Sequence, residues 1–110
     1  MTMTIESQDG LAIVVLTGRL DSTNAADTEA KIVAQIEAGH KRVVVDASAL
    51  DYLSSAGLRV FLVVAKRVKA AGGGLVLHSL TNHVREVFEI SGFINVLTVC
   101  ANRDEAVARV

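Results

Sequence analysis

Arg42-Val43-Val44-Val45-Asp46-Ala47 is the stretch that decides the fold class, because polar residues flank a continuous apolar run. A strand buried on both faces of a parallel sheet has this pattern, whereas a half-solvated strand alternates apolar and polar residues. The chain around it has 110 residues and is 51% apolar, which is enough for one globular domain. We therefore expect a single α/β domain over residues 1–110.

Helix and strand patterns alternate on both sides of this run. The predicted elements, in chain order, are strands at 2–6 and 11–17, a helix at 24–39, the strand at 42–47, a helix at 54–71, a strand at 75–78, a helix at 81–90, a strand at 96–100 and a short helix after Asn102. The turn signal Asp9-Gly10 joins the first two strands into a hairpin. The order ββαβαβαβα predicts a mostly parallel sheet with an antiparallel N-terminal hairpin strand and helices packed against it.

Composition argues against several function classes. The chain has 11 Lys+Arg and 12 Asp+Glu, so its net charge of −1 does not favour nucleic acid as a partner. A single cysteine, Cys100, excludes an internal disulfide framework and a Cys-based zinc site. Because no stretch resembles a signal peptide or a membrane span, we expect a cytoplasmic protein with no membrane contact.

Motifs for catalysis or cofactor binding are missing from the sequence. There is no G-x-S-x-G, no Walker A motif and no G-x-G-x-x-G after a strand. Gly72-Gly73-Gly74 lies between a helix and a strand, the reverse of the phosphate-binding order, and predicts a helix stop. His78 and His83 have no carboxylate at ligand spacing. We expect no enzyme activity, no cofactor and no metal.

Asp46 is one candidate site residue, because an Asp at the end of a buried parallel strand resembles the phosphoacceptor of response-regulator receiver domains. That chemistry also needs an acidic pair for Mg²⁺ after the first parallel strand, where this chain has Thr17-Gly18-Arg19. The simpler expectation is that the Asp46 carboxylate caps the following loop.

Residues 51–58 contain the second candidate, a pair of serines where a loop enters a helix. Ser54 and Ser55 both suit helix capping. Gly57 in the first helical turn costs up to ~1 kcal/mol relative to alanine, which indicates close approach of a neighbouring backbone or a partner. A phosphate on an exposed serine here is favoured by the helix amides and dipole, so capping and phosphorylation both remain open.

Tyr52-Leu53-Ser54-Ser55-Ala56-Gly57-Leu58 resembles the phosphorylation loop of the STAS-domain anti-sigma-factor antagonists. Further similar segments, spread over nearly the whole chain, are Leu16-Thr17-Gly18-Arg19-Leu20-Asp21, Val44-Val45-Asp46 and Val84 to Phe93. The resemblance implies a STAS-type fold with Ser55 as the phosphoacceptor. The family often has Asp where this chain has Ser54, which leaves Ser54 as the alternative acceptor. It also implies that Asp21 lies near Ser55.

The function implied by the resemblance is a switch without catalytic activity of its own. The unphosphorylated protein would bind an anti-sigma factor that is an ATP-dependent serine kinase of the GHKL type. Phosphorylation of Ser55 would release that kinase, and a PP2C-type phosphatase would reset the switch. The alternative is a STAS subunit of a membrane transporter complex, which docks on an ATPase and needs no phosphoserine.

The helix after Ser55 is predicted to carry a partner-binding face. At ~100° per residue, one broad apolar stripe packs on the sheet, while Val60 and Val63 fall on the other side near Arg59. We interpret these valines as an apolar patch continuous with Ser55, with burial under a neighbouring helix as the alternative. The complete predicted partner-binding set is Asp21, Ser54, Ser55, Gly57, Arg59, Val60 and Val63.

Overall fold

The computed structural model describes residues 1–110 and contains one five-stranded sheet and four α-helices. The elements are β1 (Thr2–Gln8), β2 (Leu11–Leu20), α1 (Ala25–Glu37), β3 (Arg42–Leu53), α2 (Ser55–Ala70), β4 (Gly74–His78), α3 (Asn82–Ser91), β5 (Thr98–Cys100) and α4 (Arg103–Arg109). A single 3₁₀ turn, Phe93–Asn95, precedes β5. The strands lie side by side in chain order; β1 is antiparallel to β2 and the other pairs are parallel. The predicted fold class, hairpin and element order are confirmed.

All five strands differ in length from their predictions: β1 runs on to Gln8 and β4 begins one residue earlier, at Gly74, while the other three differ as follows. β2 and β3 extend to Leu20 and Leu53, so residues 48–53 belong to a strand and not to the predicted loop. Their pairing shifts register twice before it ends at Leu20 opposite Leu53, and such irregularities break the alternation that marks a strand in sequence. β5 is shorter than predicted, because Val96 and Leu97 precede its first paired residue.

Both faces of the sheet are covered near its centre. The main core lies between one face and helices α1, α2 and α3, and includes Val45, Phe61 and Phe88. On the other face, Val44 packs with residues that include Ala106 of α4. Val43, Val44 and Val45 are all 0% exposed, which confirms the strand buried on both faces. None of the helices combines the length and apolar character that crossing a membrane requires.

The start of α2 is held against the carboxyl ends of β2 and β3. The backbone N–H of Ser54 donates to the carbonyl oxygen of Leu20 at 3.0 Å. Gly57, in the first turn, lies so close that a Cβ atom would be 2.7 Å from that same oxygen and 2.7 Å from Cδ1 of Leu53. The sequence left two explanations for Gly57, the close approach of a neighbouring backbone or of a partner. The structure shows the first, with the backbone of Leu20 as the neighbour.

We expect Gly57→Ala to lower the free energy of unfolding, because the added methyl group meets the main-chain oxygen of Leu20. Overpacking of this kind costs about 1–3 kcal/mol, which outweighs the up to ~1 kcal/mol that alanine gains in helix propensity. Thermal melting measures the change. The matched control is Gly74→Ala, whose Cβ would find its nearest neighbour, Val110, at an ordinary 3.7 Å. A melting temperature for Gly57→Ala at or above wild type would contradict this account.

Candidate functional site

The two serines at the start of α2 have different environments. Ser54 is the N-cap residue: its Oγ accepts a hydrogen bond from the backbone N–H of Gly57 at 3.2 Å. Ser54 is half-buried, and its carbonyl oxygen also accepts from the N–H of Leu58 at 2.9 Å. Ser55 is exposed, and its hydroxyl has no hydrogen-bond partner within the chain. The cap therefore belongs to Ser54, and the chemically free hydroxyl belongs to Ser55.

Asp21 lies in the loop from β2 to α1, directly after the residue that binds Ser54. Its Oδ1 accepts hydrogen bonds from the Thr23 hydroxyl at 2.6 Å and from the Thr23 N–H at 2.9 Å. These two bonds hold the pKa of the Asp21 carboxyl below its usual range, so it is ionised at neutral pH. The carboxylate thus contributes a fixed negative charge to the loop that follows Leu20, the residue whose carbonyl oxygen binds the N–H of Ser54.

A shallow groove between the first turns of α1 and α2 contains Ser55. Ala26 and Ala56 leave room there, while Glu29 of α1 and Arg59 of α2 place opposite charges along it. Arg59 follows Ser55 by one helical turn, the spacing at which side chains on a helix meet. A phosphate on Ser55 would therefore have a carboxylate and a guanidinium group on the same groove.

The structure corrects one part of the predicted partner face. Val60 is 1% exposed and belongs to the main core, so its interpretation as part of an exposed patch is wrong and the alternative, burial under a neighbouring helix, holds for it. α1 packs beside α2 and widens the buried arc, which the helical period alone does not reveal. Val63 is half-buried and Arg59 is exposed, so these two remain accessible on α2. Gly57 is also buried, where its role is the close approach to Leu20.

Three side chains that the sequence analysis did not group together stack at the same end of the sheet. The guanidinium carbon of Arg19 lies 4.0 Å from the ring centroid of Tyr52. The ring of Tyr52 stacks on His83, with centroids 5.1 Å apart and an interplanar angle of 13°. The pairing of Arg19 with Tyr52 across β2 and β3 creates this arrangement. The sequence pattern could not predict this stack, because it ended β2 and β3 before the residues that pair there.

Asp46, the receiver-like candidate, is engaged within the chain. It forms an ion pair with Arg103 at 3.1 Å and accepts a hydrogen bond from the N–H of Ser48 at 2.9 Å. Partial burial works against ionisation, but these hydrogen bonds hold the pKa of Asp46 below its usual range. No group of three or more His, Cys, Asp or Glu side chains in the structure is placed to hold a metal ion. The geometry thus gives no support to a Mg²⁺-dependent phosphoacceptor at Asp46.

Comparison with known proteins finds relatives over nearly the whole chain. Residues 2–106 match the STAS domain family. BtrV of Bordetella bronchiseptica, an anti-sigma factor antagonist by name, is 49% identical over 108 residues, which cover 98% of this chain and 93% of that protein. The anti-sigma-B factor antagonist of Bacillus subtilis is 29% identical over 94 residues, covering 86% of this chain and 85% of that protein.

Solved structures show the same fold. The anti-sigma factor antagonist SpoIIAA in its unphosphorylated form has a TM-score of 0.85 at 24% identity, covering 98% of this chain and 95% of that one. The Bacillus cell fate determinant SpoIIAA in its phosphorylated form has a TM-score of 0.77 at 22% identity, covering 98% of both chains. At these identities the likeness concerns the fold.

We expect Val60→Asp to destabilise the fold strongly, since it places a carboxylate without a partner in the core. The expected loss is about 3 kcal/mol or more in the free energy of unfolding, visible in thermal melting. Val63→Asp serves as the comparison, because Val63 is half-buried and its carboxylate can reach water. Equal melting temperatures for wild type and Val60→Asp would contradict the burial of Val60.

Proposed function

We propose that this chain, which belongs to the STAS-domain family of anti-sigma factor antagonists, is a binding protein that releases its partner when Ser55 is phosphorylated. The unphosphorylated form binds an anti-sigma factor with GHKL-type serine kinase activity. That kinase transfers the γ-phosphoryl group of ATP to Oγ of Ser55, and the hydroxyl proton leaves to the kinase's base. A PP2C-type phosphatase hydrolyses the phosphoserine, and the cycle restarts.

The observation that carries this proposal is the free hydroxyl of Ser55 beside the occupied hydroxyl of Ser54. A kinase reaches an exposed side chain on the first helical residue without opening the fold. The phosphate adds about −1.5 to −2 charge at pH 7, which the N-terminal amides and dipole of α2 favour. The chain supplies the hydroxyl and the binding surface, while ATP and the catalytic groups belong to the partners.

Release follows from the charges around Ser55. A partner that covers an uncharged Ser55 must also cover the carboxylate of Glu29 in the same groove, and we propose that it reaches the ionised Asp21 in the loop after Leu20, so its complementary surface is adjusted to the unphosphorylated state. A phosphate adds like charge to that pair and has to be desolvated in the complex, which is costly unless a cation meets it. Arg59 lies on the chain's own helix and offers partial compensation without the partner.

The proposed contact surface combines the accessible members of the predicted set with the newly found stack. Asp21, Ser54, Ser55, Arg59 and Val63 contribute side chains, and Gly57 and Val60 contribute by holding α2 in place. Arg19, Tyr52 and His83 extend this surface along the carboxyl ends of the strands. A planar stack of this kind suits a partner that presents aromatic or carboxylate side chains.

We expect Ser55→Ala to abolish phosphorylation and to keep partner binding, whereas Ser54→Ala keeps phosphorylation and loses about 1 kcal/mol of stability with its cap. Ser55→Asp should weaken binding about tenfold or more, because it buries an unpaired charge at the interface. Immobilised wild-type chain first captures the kinase, which mass spectrometry identifies. Phosphopeptide mapping and calorimetry then test the variants. Modification mapped to Ser54, or captured proteins without a kinase, would refute the proposal.

Asp21→Asn tests the electrostatic part of the mechanism alone. The amide oxygen can still accept both hydrogen bonds from Thr23, so the loop keeps its shape while one negative charge is lost. We expect phosphorylation to weaken partner binding less in this variant than in the wild type. Binding constants of both forms, with and without phosphate, give the comparison. An identical ratio in the two proteins would show that Asp21 has no electrostatic role.

A further inference from the structure

A second surface lies at the opposite end of α2 from Ser55. A groove of about 440 Å³ separates the C-terminal half of α2 from the residues that lead into β5. We call it the basal groove; its apolar lining consists of Leu62, Ala65, Val68, Leu75, Val96 and Leu97. At 1.5 Å per residue, its far end lies about 20 Å from Ser55 along the helix axis. A partner bound there need not touch the phosphorylation site.

The basal groove has an apolar floor and an exposed apolar rim. Leu75 and Leu97 are buried at its base, whereas Val96 is 69% exposed. Val96 follows the 3₁₀ turn. Its backbone N–H donates a hydrogen bond to the carbonyl oxygen of Phe93 at 3.0 Å, which holds Val96 outside the sheet. Val96 is not isolated, because the half-buried Leu62 and Ala65 line the same groove and make its apolar surface continuous from floor to rim.

The charges of the basal groove all have one sign. Lys66 and Lys69 line it, both are exposed, and no Asp or Glu side chain lines it. The two ion pairs of the structure, Lys31–Asp27 and Arg103–Asp46, include neither lysine. The chain as a whole has a net charge of −1, so this positive region is a local feature.

The positive region continues past the glycines that follow α2. A neighbouring groove shares Gly73, Gly74, Leu75 and Thr98 with the basal groove. It adds Lys41 and Arg109, whose side chains are also without ion pairs. Its third cation, Arg42, already donates to the main-chain oxygens of Val107 and Val110.

We propose that the basal groove binds an acidic amphipathic segment of a partner protein. Apolar side chains of that segment fill the space above Leu75 and Leu97, and its carboxylates pair with Lys66 and Lys69. Charge complementarity favours an acidic partner, and the recessed floor favours a protein segment over a lipid surface. Membrane-binding surfaces insert protruding apolar side chains, whereas a groove receives side chains from its ligand.

The test is an NMR titration of the full chain, labelled with ¹⁵N, with two synthetic helical peptides. Both carry leucine on one face; the acidic peptide has glutamate on the other face, and the basic peptide has lysine. We expect the acidic peptide to shift the amide signals of Ala65, Val96 and Leu97. The double variant Lys66→Glu/Lys69→Glu should raise the dissociation constant about tenfold or more, since two attractions become repulsions.

Matched variants separate the groove from general charge effects. Arg67→Glu reverses an exposed charge on the same helix outside the groove and should change the affinity less than about twofold. Val96→Asp should weaken binding while thermal melting stays near wild type, because the side chain is exposed. Ser55→Asp should leave this binding unchanged, so the result does not depend on the proposed switch.

Four outcomes would overturn the proposal. They are equal binding of both peptides, no shifts at the groove amides, wild-type affinity of the lysine double variant, and, in a parallel titration with vesicles containing phosphatidylserine, shifts that the vesicles cause and the acidic peptide does not. The last outcome would assign the groove to a lipid surface instead of a protein segment.

Discussion

The candidate site depends on one close contact, between Gly57 of α2 and the carbonyl oxygen of Leu20 at the end of β2. Because no side chain intervenes, the helix can begin directly beside the two longest strands. That position lets Ser54 donate its backbone N–H to Leu20 at 3.0 Å while its hydroxyl caps the helix. With the cap satisfied by Ser54, the next residue is free to face solvent. The accessibility of Ser55 is thus a consequence of how residues 54–57 pack against the end of β2.

The division of roles between the two serines determines what a phosphate would do at each. On Ser54 it would replace the hydroxyl that caps Gly57, at a cost of about 0.5–2 kcal/mol, and place charge on a half-buried side chain. On Ser55 it would leave the cap intact and add charge where the helix dipole favours it. Phosphorylation of Ser55 would therefore alter the surface without altering the fold. A switch of this kind acts through the interface with its partner.

Sequence patterns predicted the elements whose signals are local and missed those that depend on neighbours. The buried run Val43-Val44-Val45 identified the central strand, and the element order followed from the spacing of helices and turns. The ends of β2 and β3 were missed because register shifts interrupt the alternation of apolar and polar residues there. The stack of Arg19 on Tyr52 was missed for the same reason, since it lies in those strand ends. Val60 was misplaced because its burial comes from α1, a different part of the chain. Ser55 was reached from a resemblance, since capping chemistry alone fits both serines equally.

The two proposed surfaces on α2 are expected to act independently of each other, because the helix between them is packed along its length. Its first turn is held at Leu20, and Val64 and Val68 are buried in its second half. One physical basis for coupling over such a distance is an element with two discrete arrangements, and close packing along both halves of α2 opposes a second arrangement of this helix. Their effects on a shared partner are therefore additive in free energy. A partner that used both ends would gain from the high effective concentration of the second contact. A phosphate on Ser55 would then remove one contact and leave the other, so such a partner would be loosened at one end while it stayed attached through the basal groove.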